Sequence, residues 1–302
     1  MNGEVVGIPT ETVYGLGGWI ESSAGIQKIF ATKERPFFDP LIVHVDTIPK
    51  ARDLTSDWTK IHEVLAQACW PGPLTLIAKK APHIDSYITS GLDSVGIRMP
   101  NHELTLELLS QIPGGVAAPS ANKFKKTSPT SAEHVEREFE GMVKVLDGGP
   151  SDIGIESTVV GVEDGKVKIY RPGFYTAVKI QKILKSYGIN MEVTYAESPV
   201  APGQLKHHYM PNIPLVIIPE NKTWEDVQET IENHFERKFS RPVLWVQSPK
   251  PLIASRELYQ SMRSFVDEGY DLILCVQNKE HDEEDWRGIW NRLDKAKSFK
   301  ID

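Results

Sequence analysis

Short apolar runs and amphipathic segments alternate regularly in the last third of the chain. Apolar runs at residues 213–218, 243–246 and 272–276 have the length of buried strands. Apolar positions with helical spacing follow each run: Val227, Ile231 and Phe235, then Leu258, Met262, Phe265 and Val266, then Trp286, Ile289, Trp290 and Leu293. Thr223 with Asp226 three residues later is a typical helix start. The order β-α-β-α-β-α predicts a small parallel sheet with helices on its faces.

The first two thirds of the chain carry a less regular pattern. Strands are predicted at residues 5–8, 41–45, 74–78, 95–97, 143–146, 157–162 and 167–170. Helices are predicted at residues 23–33, 58–69, 102–110, 131–140 and 176–187. Several of these strands follow one another with no helix between them, which favours a mixed sheet of the α+β kind over a regular doubly wound sheet.

Prolines crowd the segment that joins the two patterns: Pro199, Pro202, Pro211 and Pro214. Such a segment cannot continue a helix or a central strand. Leu205 and Tyr209 interrupt it, whereas a merely flexible tether would be richer in Gly and Ser. We therefore predict a first domain at residues 1–197, an ordered linker at 198–212 and a second domain at 213–302.

The composition of the chain excludes several classes of protein. The chain has 302 residues and a net charge of −7, which argues against a protein that mainly grips a nucleic-acid backbone. With 40% hydrophobic residues it has ample material for a core. Its cysteines, Cys69 and Cys275, are too few for a disulfide framework or a four-cysteine zinc site and indicate a reducing compartment. No apolar run of membrane length and no secretory signal are visible, so we expect a cytoplasmic protein.

Polar segments begin or end several predicted strands of the first domain. They are PTETVYGLGG at 9–18, KERP at 33–36, Arg98, AAPSAN at 117–122, SPT at 128–130, ESTVV at 156–160 and YRPG at 170–173. None carries an evident nucleophile, and no phosphate-binding P-loop occurs in the chain. The set indicates a site that positions charged small molecules, and in-line attack on a phosphate depends on such positioning.

Each segment also has a structural interpretation. The glycines after the first strand fit a tight strand-to-helix turn, and Lys33 with Arg35 fits cations at a helix C-terminus. His44 in an apolar strand fits a buried core histidine. Arg98 needs a partner, either a substrate carboxylate or a structural Asp or Glu. Ser128 or Thr130 fits the N-cap of the helix near residue 131.

Taken together and in order, the motifs resemble the threonylcarbamoyl-AMP synthases, the YrdC-like family. They are PTETVYGLG at 9–17, KERP at 33–36, PLIVHV at 40–45, WPGPLT at 70–75, GIRMP at 96–100, APSAN at 118–122, SPT at 128–130, ESTV at 156–159 and RPG at 171–173. The segment APGQLKHHYMP at 201–211 and the α/β tail resemble the longer, two-domain branch. The resemblance implies an α/β fold: a YrdC-like twisted mixed sheet surrounded by helices, then a linker that covers the active site, then a small Rossmann-like domain.

The resemblance also implies the reaction and its participants. L-threonine, bicarbonate or CO2, and ATP with Mg²⁺ give threonylcarbamoyl-AMP, pyrophosphate and water. Other proteins then use the product to form threonylcarbamoyl-adenosine next to the anticodon of tRNA. Strong direct binding of nucleic acid and contact with a membrane are not expected.

Site residues carry over by position in these motifs. L-threonine would contact Thr12, His44, Arg98, Ala118 and Ser157. ATP would contact Lys33, Arg35, Asp39, Ser94, Ser120, Asn122, Ser128, Arg171 and Tyr209. Of these, Lys33, Arg35 and Arg171 would neutralise phosphate charge as pyrophosphate leaves, and Tyr209 would shield the labile product from water. No side-chain metal ligand is assigned.

The chain departs from the family pattern at three places. The family usually has a helix before the first strand, which here begins almost at Met1. Asp39 stands where the family usually has Asn, so an extra carboxylate lies near the expected triphosphate. KFKKT at 123–127 replaces a small glycine-containing turn. Its lysines, with these departures, keep one alternative open: a non-catalytic or degenerate nucleotide- or RNA-binding protein associated with translation.

Overall fold

The computed structural model describes residues 3–196, 208–278, 281 and 283–301, and the fold within these residues contains two sheets. The strands are β1 Val6–Ile8, β2 Gly15–Trp19, β3 Ile42–His44, β4 Leu74–Lys79, β5 Ser94–Arg98, β6 Val116–Ala117, β7 Lys144–Val145, β8 Thr158–Glu163, β9 Lys166–Arg171, β10 Val193–Tyr195, β11 Leu215–Pro219, β12 Pro242–Trp245, β13 Leu272–Gln277 and β14 Phe299–Lys300. The helices are α1 Ser23–Lys33, α2 Ile48–Asp53, α3 Lys60–Cys69, α4 Ser86–Thr89, α5 Glu103–Ser110, α6 Ala132–Glu138, α7 Ala177–Ser186, α8 Trp224–Phe235, α9 Pro251–Asp267 and α10 Arg287–Ala296. A 3-10 turn, Glu284–Trp286, leads into α10.

The larger sheet is mixed, as predicted. Its strand order among the described residues is β10-β9-β8-β4-β5-β3-β6-β2-β1-β7. Parallel pairs such as β3 with β5 and β4 with β8 alternate with antiparallel pairs such as β4 with β5 and β8 with β9. A large apolar core that includes Tyr14, Leu16, Phe30, Leu76 and Ile97 packs against this sheet.

The smaller sheet is entirely parallel, as predicted, with the order β12-β13-β11-β14. Leu215 and Ile217 of β11 belong to one apolar cluster, and Val216 and Ile218 belong to another on the opposite face. A strand buried on both faces must be apolar throughout, which explains its continuous apolar run. The predicted start of α8 is confirmed, because the Thr223 backbone N–H donates to Asp226 Oδ2 at 2.8 Å.

Two details correct the sequence interpretation. The glycine-rich segment at 9–18 is not simply a strand-to-helix turn, since Gly15–Trp19 forms β2, antiparallel to β1. Its glycines allow close packing: a Cβ on Gly17 would lie 2.9 Å from Val116 Cγ1, and one on Gly18 would lie 3.0 Å from Ile29 Cδ1 of α1. The N-cap of α6 is Ser131 and neither Ser128 nor Thr130, because the Ser131 hydroxyl accepts the His134 N–H.

Three short strands and two short helices were not predicted from the sequence. They are β6, β10, β14, α2 and α4, and each is too short to show a hydrophobic period of its own. Residues 198–207 of the predicted linker lie outside the described residues, whereas His208 and Tyr209 lie within them. The backbone N–H of His208 donates to the Lys295 carbonyl at 3.1 Å, so the end of the linker contacts α10.

The second apolar core joins the two parts of the chain. Val13, Ile155 and Tyr209 are buried in the same cluster as Leu258 and Ile289 of the C-terminal helices. We call residues 215–301 the C-terminal unit. One face of this unit is thus packed on the loops that carry the polar motifs of the larger sheet.

Candidate active site

A cavity of about 580 Å³, counted with the solvent at its mouth, lies where strands of the larger sheet end. His44 ends β3, Arg98 ends β5 and Arg171 ends β9, while Ser157 directly precedes β8 and Ala118 directly follows β6. The cavity is lined by Thr10, Thr12, Val13, Gly15, Arg35, Pro40, Ile42, His44, Arg98, Ala118, Pro119, Ser120, Glu156, Ser157, Arg171, His208 and Tyr209. The sheet topology therefore gathers motifs that are far apart in sequence.

One wall centres on Arg98, whose side chain is buried. Its Nη1 donates to Thr12 Oγ1 at 2.8 Å, and its Nη2 forms an ion pair of 2.6 Å with Glu11 Oε2. Thr12 Oγ1 also lies 2.9 Å from Thr10 Oγ1. Of the two partners considered for Arg98, the structural carboxylate is present, and the guanidinium still lines the cavity.

A second wall centres on Ser157. Its hydroxyl lies 2.8 Å from Thr75 Oγ1 and accepts a hydrogen bond of 3.0 Å from Arg171 Nη2. Arg171 Nε also donates to the Ser157 carbonyl at 3.0 Å. Burial lowers the pKa of the Arg171 guanidinium, but a group whose ordinary pKa is above 12 stays charged at neutral pH.

The third wall holds the remaining predicted phosphate-binding cations. Arg35 Nη2 forms an ion pair of 2.8 Å with Asp39 Oδ2, and Arg35 Nε donates to the Asp39 carbonyl at 3.2 Å. Burial raises the pKa of the Asp39 carboxyl. Lys33 Nζ donates to the carbonyls of Ser120 and Asn122 from behind the wall, and burial holds the pKa of this amine well below its usual range.

Three fully buried side-chain atoms on residues that line the cavity have no hydrogen-bond partner among the described residues: His44 Nδ1, His208 Nδ1 and the Tyr209 hydroxyl. Burial lowers the pKa of both histidines to about 3, so both rings are neutral at pH 7. Burial raises the pKa of Tyr209 to about 12. Buried polar groups normally find partners, so these atoms fit contacts with a bound ligand.

Most of the predicted site residues line this cavity: Thr12, Arg35, His44, Arg98, Ala118, Ser120, Ser157, Arg171 and Tyr209. Lys33, Asp39, Asn122 and Ser128 do not line it, and each supports the wall from behind. The Asn122 amide donates to the carbonyls of Lys123 and Lys126 at 2.8 Å, and the Ser128 hydroxyl donates to Glu156 Oε1 at 2.6 Å. Ser94 lines a smaller neighbouring cavity, which shares Pro40 and Ile42 with the main one.

Glu156 lines the cavity but was not assigned to the site from the sequence, although it lies in one of the motifs. The C-terminal unit supplies two of its partners, since the Tyr259 hydroxyl donates to Oε2 at 2.9 Å and Arg292 Nε donates to Oε2 at 2.9 Å. Burial opposes ionisation, but the charges of Arg292 and Arg171 outweigh it and lower the pKa of Glu156 to about 2. Glu156 is therefore an anion at neutral pH.

The described part of the chain contains no cluster of three or more His, Cys, Asp or Glu side chains arranged to hold a metal ion. Three carboxylates beside the arginines of the site, Glu11, Asp39 and Glu156, are paired with Arg98, Arg35 and Arg292. Among the same residues, no helix is both long and apolar enough to cross a membrane.

Buried guanidinium groups and hydroxyls at the strand ends of a mixed sheet, together with polar atoms that lack a partner among the described residues, fit a group-transfer enzyme that binds small charged substrates. Residues 1–173 match the family model described as "Telomere recombination". Residues 175–298 match the family model described as "Threonylcarbamoyl-AMP synthase, C-terminal domain". The chain belongs to the threonylcarbamoyl-AMP synthase family, whose members are nucleotidyltransferases.

Relatives match over nearly the whole chain. The threonylcarbamoyl-AMP synthase of Pyrococcus abyssi is 33% identical, covering 99% of this chain and 92% of the relative. That of Bacillus subtilis is 34% identical, covering 99% of this chain and 90% of the relative. The crystal structure of P. abyssi Sua5 complexed with L-threonine superposes with a TM-score of 0.84 at 32% identity, covering 99% of this chain and 93% of that one. The family, the fold class and the enzyme class predicted from the sequence are confirmed.

Proposed function

We propose that this chain condenses L-threonine, bicarbonate or CO2, and ATP into threonylcarbamoyl-AMP, with release of pyrophosphate, and of water where bicarbonate supplies the carbon. The amino group of threonine is carboxylated, and an oxygen of the resulting carbamate attacks the α-phosphorus of ATP as pyrophosphate leaves. Membership of the family supports the reaction. The observation that supports it for this chain is the cavity, whose lining includes three guanidinium groups and, on His44 and Tyr209, buried polar atoms without a partner among the described residues.

Threonine binds, in this proposal, between Arg98 and Ser157. The Arg98 guanidinium is a planar fork that matches a carboxylate, and the Thr12 hydroxyl lies beside it. Neutral His44 and the Ser157 hydroxyl offer hydrogen bonds to the amino acid, and small Ala118 leaves room for it. A solved relative holds L-threonine, which supports the assignment of this substrate.

ATP binds, in this proposal, towards Arg35, Ser120 and Arg171. Both guanidinium groups are buried, so the charge that develops on the leaving pyrophosphate meets cations in a medium of low dielectric constant. Lys33, Asn122 and Ser128 hold the backbone that forms this wall. Asp39 orients Arg35, which gives the departure from the family pattern a structural role.

Tyr209 covers the reacting atoms in this proposal. Its side chain is 1% exposed, and its ring packs at 5.6 Å from Tyr259 of the C-terminal unit. A cover of this kind would keep water away from a product that hydrolyses easily. We retain the proposed division of the chain into a catalytic domain at 1–197, a linker at 198–212 that carries Tyr209, and a C-terminal domain at 213–302.

Magnesium fits this site as an ion carried by the triphosphate, because the carboxylates Glu156 and Asp39 are already paired with arginines. When bound, Mg²⁺ would neutralise part of the phosphate charge. We propose that the enzyme works in the cytoplasm, where a reducing environment suits its buried free thiols, Cys69 and Cys275. Downstream tRNA-modification proteins would take up the product.

The contacts of two lysines bear on the alternative, a nucleotide- or RNA-binding protein without catalysis. Of the lysines that motivated it, Lys123 forms an ion pair of 2.9 Å with Glu34, and Lys126 donates to Asn212 Oδ1 at 2.7 Å. Both side chains therefore have partners within the protein, which weakens the case for a dedicated phosphate-binding surface.

Pyrophosphate release from the purified chain with ATP and Mg²⁺ tests the proposal. We expect release only when both L-threonine and bicarbonate are present. For any variant of Arg98, which pairs with Glu11, Arg52→Ala is a matched control. Arg52 pairs with a glutamate too, Glu63 at 2.6 Å, but it lies on the surface, away from the cavity. ATP binding without pyrophosphate release, or release that ignores threonine, would refute the proposal and favour the alternative.

A further inference from the structure

Arg292 is an arginine of the C-terminal unit whose side chain is fully buried against the candidate active site. It lies on α10, and its exposed fraction is 0%. Nε donates to Glu156 Oε2 at 2.9 Å and Nη2 donates to the Glu156 carbonyl at 3.1 Å. Nη1 donates to the carbonyls of Pro172 and Gly288. One guanidinium thus reaches two motifs of the larger sheet.

In each of these two motifs, the residue that Arg292 contacts is adjacent in sequence to a predicted site residue. Glu156 directly precedes Ser157, and Pro172 directly follows Arg171. The backbones approach closely here, since a Cβ on Gly288 would lie 3.1 Å from Gly173 Cα. The position of α10 therefore fixes the ends of β8 and β9 at which Ser157 and Arg171 face the cavity.

Arg292 also sets the charge balance of the site. Glu156 is buried and anionic, and Arg292 and Arg171 are the cations that lower its pKa most. In the structure, Arg171 donates hydrogen bonds to the hydroxyl and the carbonyl of Ser157. Without Arg292, the buried carboxylate would attract the Arg171 guanidinium strongly, because an uncompensated buried charge is costly.

We propose that Arg292 is a positioning residue for the reaction proposed above: it neutralises Glu156 from the C-terminal unit, so that Arg171 keeps its contacts with Ser157 at the substrate-binding wall. The identity of the substrates rests on the proposed function. The contacts that link Arg292, Glu156, Arg171 and Ser157 do not depend on it. Through Arg292, the C-terminal unit takes part in substrate binding in addition to its contact with Tyr209.

The test compares Arg292→Met, Arg292→Lys, Glu156→Gln and the double variant Arg292→Met/Glu156→Gln. Threonine affinity is measured by calorimetry, and pyrophosphate release gives kcat and the KM for each substrate. We expect Arg292→Met to weaken threonine binding and to lower kcat/KM by about 10-fold or more. We expect the double variant to recover most of this loss, because it removes the buried carboxylate together with its partner, and Arg292→Lys to recover part of it.

Arg256→Ala is the matched control, since Arg256 Nε also links the C-terminal unit to the larger sheet, donating to the Asp152 carbonyl at 2.7 Å. This variant should keep wild-type affinity. Unchanged threonine affinity in Arg292→Met would overturn the inference, as would a double variant no better than the single one. Because calorimetry needs no turnover, a wild-type chain that binds threonine but releases no pyrophosphate would contradict the proposed function alone.

Discussion

The buried pair Arg98–Glu11 allows the proposed threonine contact to be separated from protein stability. Both side chains are 5% exposed and lie 2.6 Å apart. Replacing Arg98 alone leaves the Glu11 carboxylate buried without its cation, which costs about 3–5 kcal/mol of folding free energy. Loss of activity in Arg98→Leu would therefore not by itself identify a substrate contact.

The double variant Arg98→Leu/Glu11→Leu removes both charges. Replacing a buried ion pair by apolar residues of similar volume is often neutral for stability. Thr12 keeps its contact with Thr10, so the loop stays supported. We expect the double variant to regain most of the denaturant midpoint that the single variant loses.

The substrate contact, in contrast, stays lost in both variants. A hydrogen bond to a charged group contributes about 1.5–3 kcal/mol, which corresponds to about a 10- to 100-fold rise in the KM for threonine. The assay is pyrophosphate release at saturating ATP and bicarbonate with threonine varied, alongside urea unfolding of the same samples. A stable double variant with a wild-type KM for threonine would refute the assignment of Arg98 to the threonine carboxylate.

The ion pair of Arg35, the burial of His44 and the packing of Gly154 can each be tested as well. Arg35→Ala should raise the KM for ATP about 10- to 100-fold with little change in the KM for threonine. Asp39→Asn keeps an oxygen that can accept a hydrogen bond from Arg35 but removes the negative charge near the triphosphate, so it should lower the KM for ATP. Equal effects on both substrates would contradict the assignment. His44 has a native pKa of about 3 against 6.5 in the unfolded chain, so the unfolded chain binds more protons as the pH falls through 6.5. Acidification should therefore lower the stability, by about 2 kcal/mol at pH 5 from this residue, and His44→Gln should flatten the pH dependence of urea unfolding. Gly154→Ala should lower the free energy of unfolding by about 1–3 kcal/mol, because the new Cβ would lie 2.5 Å from Arg256 Cα. Gly149→Ala is the control, since Gly149 has a similar positive φ but open space around it, and it should cost less. Equal costs in urea unfolding would mean that backbone strain, and not the clash, dominates.

The elements predicted correctly are those whose burial imposes a clear period. The apolar run of β11 and the amphipathic spacing of α8–α10 follow directly from burial on two faces and on one face. Strand β2 was missed because Gly15, Gly17 and Gly18 carry no side chain that could show a period. These glycines matter because α1 and β6 pack closely against β2, and such tertiary packing cannot be seen in the sequence.

The site was partly predictable for a related reason. Residues that line the cavity sit in motifs with an unusual composition, and these motifs are visible in the chain. Arg292 is in no motif, and its importance comes from the docking of α10 on the Glu156 loop. One signal was present: Arg292 shares the apolar face of α10 with Ile289, Leu293 and Ala296, and a charge on an apolar helix face needs a buried partner.

The candidate site is charged but internally neutralised, and this affects how substrates bind. Arg98 is paired with Glu11, and Arg35 is paired with Asp39. A substrate anion therefore exchanges partners with the protein instead of meeting bare cations, so each contact contributes only the difference between two charged interactions. Such a site gains less binding energy from each substrate alone than its number of cations suggests. Specificity would then depend on contacts that protein groups do not already satisfy, namely those of His44, His208 and Tyr209.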